Sequence, residues 1–189
     1  MVKLDSFLIA LIALLFSFVD IPVSCAFDYF AAAEEGQASY LELVTKHHAE
    51  KADVWIRENR IGNAIEDLKY TLDRFPNHPL GLQLMGLVSK ITKNPSMAIP
   101  YYQKALSLYP QYAVTHAQYG QYLLSNGDID GAIESLKRSI EVNPKLVFSY
   151  VLLARAHAKK GNAELANEAA ARARELGYNG PLSDIGGGK

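Results

Sequence analysis

Residues 113–146 read AVTHAQYGQYLLSNGDIDGAIESLKRSIEVNPKL, and this stretch decides the fold. Tyr119, Leu123, Ile133, Leu136 and Ile140 recur at three- and four-residue steps, the spacing that puts apolar side chains on one stripe of a helix. Gly120 and Ala132 carry little or no side chain and sit on opposite sides of Asn126-Gly127-Asp128. That tripeptide supplies a glycine for the left-handed turn that ends one helix and an aspartate to cap the next. Pro144 ends the second helix, because a proline pushes the residue before it out of the helical region. The stretch therefore predicts two antiparallel helices touching at Gly120 and Ala132.

The pattern repeats on both sides. Pro76, Pro110 and Pro144 are 34 residues apart, and Ala64, Ala98, Ala132 and Ala166 keep the same interval. Ile65, Ile99 and Ile133 follow the first three of those alanines. Ala52, Gly86, Gly120 and Ala154 form another register, and Leu68, Tyr102, Leu136 and Ala170 the next. Thr71, Ala105, Ser139 and Ala173 give a sixth. A fixed period of this length marks a stacked-repeat architecture, in which each unit buries its face only against its neighbours. Between Tyr40 and Leu176 no stretch alternates with period two for long, so no strand is expected.

A 34-residue unit with small, alanine, bulky, small and proline positions in this order resembles the tetratricopeptide repeat. The resemblance spans residues 45–178 in four units, 45–78, 79–112, 113–146 and 147–178. It implies an all-α, right-handed superhelical stack of antiparallel helix pairs. Residues 27–44 are expected to cover the first unit, through Phe27, Tyr29 and Phe30, with its first helix reaching back to about Ser39. In the second unit Asn94-Pro95 is expected to replace the glycine turn, with the proline at the first helical position. In the last unit Tyr178 replaces the proline. Either the polar side of its second helix, with Asn167, Glu168, Arg172 and Glu175, caps the array, or that end meets another chain; the cap is favoured. Residues 179–189, with Pro181 and Gly186-Gly187-Gly188, read as a flexible tail.

The first 26 residues read as a leader. Lys3 precedes an apolar run from Phe7 to Val19 that is shorter than the ~20 residues a spanning helix needs. Ser24 and Ala26 suit cleavage after Ala26. Val23-Ser24-Cys25 also resembles a bacterial lipobox with Pro22 in place of its leucine, which makes Cys25 a candidate lipidation site, and an uncleaved anchor is a third reading. The expectation is an exported protein, periplasmic or secreted, with membrane attachment only through such an anchor. Without residues 1–26 the chain holds 18 basic and 18 acidic residues, so no broad basic surface points to nucleic acid.

Nothing in the sequence reads as catalytic. Its single cysteine permits no intramolecular disulfide. His47 and His48 are adjacent and point about 100° apart on a helix, while His78, His116 and His157 lie in different units. No metal, cofactor, phosphate-binding loop or nucleophile elbow is indicated. The family resemblance instead implies a concave groove along the first helices of the units, receiving a peptide or helix of another protein. Carried onto this sequence, the groove positions are Asp53, Gln83, Leu87, Ala117, Gln121, Val151 and Arg155, with Lys90 and Lys159 one turn further on. A two-carboxylate clamp of the kind some members carry needs lysine and asparagine where Ala49 and Asp53 stand, so that reading is excluded. The expected function is a non-enzymatic scaffold or assembly factor of the cell envelope. The alternative is a passive or self-associating module with its contact at the C-terminal end.

Overall fold

The computed structural model describes residues 26–181, so the expected leader up to Cys25 and the last eight residues lie outside it. An N-terminal segment in turns leads into α1 (Ala38–Val44), a π-helical turn (Thr45–Ala49) and α2 (Glu50–Arg57), which run on as one rod. Then follow α3 (Ile61–Arg74), α4 (Pro79–Ile91), α5 (Ile99–Leu108) and α6 (Ala113–Ser125). The chain continues through α7 (Ile129–Val142), α8 (Val147–Lys160) and α9 (Ala163–Glu175). Among the described residues there is no strand.

The helices stack as a solenoid. Along one layer α2 packs on α4, α4 on α6 and α6 on α8, and in the other layer α3, α5, α7 and α9 lie behind them. The outer helices bury narrow stripes, such as Ala64, Leu68, Thr71 and Leu72 of α3. Central α6 is enclosed on most sides, burying Ala113, Thr115, Ala117, Gly120, Leu123 and Leu124. Burying a leucine such as Leu136 contributes ~1.5–3 kcal/mol, which only the neighbouring helix makes available.

At Gly120 α6 and α7 meet without room for a side chain. A Cβ there would lie 2.7 Å from Leu136 Cγ and 3.2 Å from the Ala132 carbonyl oxygen. The turn between them follows the sequence expectation. Gly127 has φ +87°, and Asp128 accepts a hydrogen bond from the Gly131 N–H at 2.9 Å.

The second pair closes differently. Tyr102 stands where Leu68 and Leu136 stand in their pairs, donates its hydroxyl to Leu82 O at 3.1 Å and stacks on Tyr119 and Tyr122. Tyr122, from the following pair, lies over Gly86, and its hydroxyl donates to Pro95 O and sits 2.7 Å from that of Ser89. Asn94-Pro95 consequently belongs to a loop, with Met97 N–H bonded to Asn94 O, and does not open a helix. Helix α5 starts at Ile99 and carries Pro100 in its first turn, where a missing N–H costs nothing. The expectation for Pro95 is thus corrected.

Candidate functional site

The layer α2, α4, α6, α8 carries all nine expected groove positions, and the structure sorts them. A depression between α4 and α6 is lined by Gln83, Leu87, Lys90, Gln118, Gln121 and Ser125. The next, of about 280 Å³ between α6 and α8, is lined by Gln121, Leu124, Leu152, Arg155 and Lys159. A third, apolar depression continues along α8 with Val147, Phe148, Val151, Arg155 and Tyr178. Shared residues Gln121 and Arg155 make the three one groove. It unites Gln83, Leu87, Lys90, Gln121, Arg155 and Lys159.

The other three expected positions differ. Ala117 is 0% exposed, enclosed with Leu124, Leu152 and Ala156, so it lies behind the groove and offers no surface. Val151 is 5% exposed and reaches only the floor of the third depression. Ala117 is corrected, because a small side chain at this register is covered by the neighbouring helix, whereas Val151 belongs to the groove as part of its floor. Asp53 is half-buried on α2, held by Arg57 at 2.6 Å, outside the three depressions.

Only part of the cationic surface is paired within the fold. Lys69, Lys104, Arg138 and Arg172 on the outer helices each have a carboxylate partner, at 2.9, 3.4, 2.8 and 2.7 Å. Lys90, Arg155 and Lys159 have none among the described residues, and Arg155 Nε is enclosed without an acceptor. Gln118 donates to Pro79 O at 3.1 Å while its Oε1 is also enclosed and unpaired. Gln118 lines the groove from a register that stacking contacts occupy in the neighbouring units, where Leu84 and Leu152 are buried. The arrangement presents cationic and amide groups beside apolar area from Leu87, which suits an acidic or extended peptide.

Three of the histidines serve the fold. His78 accepts the Gly81 N–H on Nδ1 and donates from Nε2 to Thr45 Oγ1 at 2.9 Å, capping α4 against the first rod. Burial lowers its pKa to about 4, so the ring is neutral. His116 donates from Nε2 to Pro110 O, and burial lowers its pKa too. His48 and Trp55 both bond the Asp67 carboxylate at 2.8 Å, tying the first rod to α3. Among the described residues no group of three or more side chains is placed to hold a metal ion.

These helix pairs at a 34-residue interval, with a groove along their inner layer, define an α-solenoid of the kind built from helical repeats. Two family models of the tetratricopeptide repeat match residues 81–112 and 101–134. This chain thus carries tetratricopeptide repeats over residues 81–134. No curated protein sequence matches it significantly. Among solved structures it resembles PilF of Pseudomonas aeruginosa, with 16% identity and a TM-score of 0.61 over 76% of this chain and 67% of that one. YrrB, described as a tetratricopeptide protein with an unusual peptide-binding site, gives 21% identity and 0.56 over 81% and 79%. MamA from Desulfovibrio magneticus RS-1 gives 15% and 0.55 over 78% and 90%. At these identities the likeness is one of fold.

Proposed function

We propose that this chain is a non-enzymatic scaffold or assembly factor of the cell envelope that takes a segment of a partner protein into the groove across α4, α6 and α8. One observation carries the reading: the groove gathers Lys90, Arg155 and Lys159, none with a carboxylate partner among the described residues, and encloses the Arg155 Nε without an acceptor. An enclosed guanidinium nitrogen without an acceptor is costly unless a ligand supplies one. The peptide-binding site named for YrrB supports the same use of the surface.

The double substitution Gln121→Ala with Arg155→Glu tests it. The variant folds with a small change in melting temperature, and its capture of the partner bound by the wild-type chain falls at least tenfold, about 1.4 kcal/mol. Unchanged capture by a folded variant moves the binding surface to the outer helices or the ends.

The envelope assignment rests on the leader-like residues 1–26 and is tested by the intact mass of the exported protein. A chain starting at Phe27 fits peptidase cleavage, an acylated Cys25 fits a lipid anchor, and a retained Met1 defeats both.

A further inference from the structure

Each helix of the inner layer is stacked against the next in one register. Gln118 of α6 lies across a depression from Leu87 of α4, and Leu152 of α8 lies in the same way across from Gln121 of α6. The next member of that series is Arg155, and no helix of the described chain faces it. The receiving edge is nonetheless formed: Val147, Phe148, Val151 and Tyr178 line an apolar depression beside Arg155, and Phe148 is 40% exposed.

The opposite end carries the missing counterpart. Stepping back 34 residues from Leu152, Gln118 and Leu84 leads to Glu50, the first residue of α2. The same step from Ala156, Tyr122 and Val88 leads to Val54. Those three are buried by the preceding helix, whereas Val54, which has none, is 47% exposed. Leu43 on the same rod is 54% exposed, and Glu42 and Glu50 are exposed beside it. The charges of the two ends are complementary: residues 26–50 hold five acidic side chains against one lysine, and residues 145–178 hold six basic against three acidic.

We propose that a second copy of this chain occupies the open edge of α8, its first rod stacking head to tail where a next inner helix would lie. Glu50 of the incoming copy then meets Arg155, and Val54 is covered as Val88 and Tyr122 are. Such a contact uses two different surfaces and is heterologous, so it does not close on itself as a twofold dimer does. It shares Arg155 and the third depression with the groove reading, and goes beyond it by naming a second copy of this chain as the occupant of the end of the array.

The test is complementation by full-length protein in detergent micelles, followed by sedimentation velocity. Wild-type chain shows concentration-dependent growth past the dimer. Val54→Asp and Phe148→Asp, each folded by circular dichroism, stay monomeric alone because each spoils one end. Mixed in equal amounts they form dimers and nothing larger, because each supplies the end the other lacks. If either variant fails to fold, Glu50→Arg and Arg155→Glu replace them: each alone weakens association at least tenfold, and mixing restores it. A monomeric wild-type chain overturns the proposal. So does association untouched by the substitutions, as expected if residues 1–25 drive it, and so does a mixture that stays monomeric. Gln121→Ala leaves the association unchanged, so failure here leaves the groove reading standing.

Discussion

At the scale of the residue, the contact between Gly120 and Ala132 shows how little tolerance the stack has. Ala132 is fully buried and its carbonyl lies where a Cβ on Gly120 would be in contact at 3.2 Å. Ala132→Leu forces three extra carbons into that seam, and overpacking of this kind costs ~1–3 kcal/mol. Glu134, two residues on, is exposed, and Glu134→Leu stays within about ±0.5 kcal/mol. Thermal melts of the two variants separate by several degrees, and equal midpoints would place the seam elsewhere. Ser139 is a polar version of the same economy: its buried hydroxyl donates to Ala113 O at 2.7 Å and lies 2.7 Å from the Ser149 hydroxyl, which donates to it. One hydroxyl thereby links α6, α7 and α8.

At the scale of the element, α4 is capped by an ionisable side chain. His78 binds the Gly81 N–H through Nδ1, so protonation removes the acceptor that the helix start uses. Burial lowers its pKa from 6.5 to about 4. Between those values the unfolded chain takes up a proton that the folded chain refuses. Stability is therefore complete above about pH 6.5 and declines as pH falls towards 4, by up to roughly 3 kcal/mol from this group. Burial lowers the pKa of His116 and His157 as well, which adds slope of the same sign. Urea midpoints measured from pH 7.5 down to 5 fall for the wild-type chain. His78→Asn keeps an oxygen acceptor at the cap and loses the titration, so its curve is flatter over the same window; an equally steep curve would remove His78 from the account.

At the scale of the whole molecule, the N-terminal segment fastens successive turns of the stack together. The Phe27 N–H donates to Arg74 O at 2.7 Å, and the Tyr29 N–H to Asn77 Oδ1 at 2.8 Å. The Asp28 carboxylate accepts from Asn77 Nδ2 and from the Tyr112 hydroxyl, both at 2.7 Å. Phe27 packs on Phe75, and Phe30 on Tyr112. Residues 27–30 are held on the stack in this way, and the Asp28 carboxylate is the joint. Hydrogen bonds to a charged group are worth ~1.5–3 kcal/mol, and in a repeat array such a loss is felt first by the nearest units. Asp28→Ala is expected to raise amide exchange across residues 26–78 while α7, α8 and α9 keep their protection. Uniform loss along the chain would mean that the stack unfolds as one unit.

How much of this could be read from the sequence differs by kind of interaction. The 34-residue interval, the helix pairs, the seam at Gly120 and Ala132, and the turn at Gly127 and Asp128 were all legible. They depend on backbone geometry and side-chain size, which residue identity carries directly. The same register brings Gln83, Leu87, Lys90, Gln121, Val151, Arg155 and Lys159 to one continuous depression. Burial of Ala117 and Val151 was not legible, because it depends on how closely α8 approaches α6 and on what fills the end of α8. The long loop at Asn94 and Pro95 was misread for a related reason: Tyr122 and Tyr102 fill the space between the helices of the second pair, and their contacts join residues twenty or more positions distant. The anchoring of Asp28 by Asn77 and Tyr112, and the uncovered edge beside Arg155, belong to the tertiary structure alone. Local chemistry and periodicity determined that this chain is a stack of helix pairs. Which side chains the stack neutralises, and which it leaves unpaired, was decided only when distant segments met.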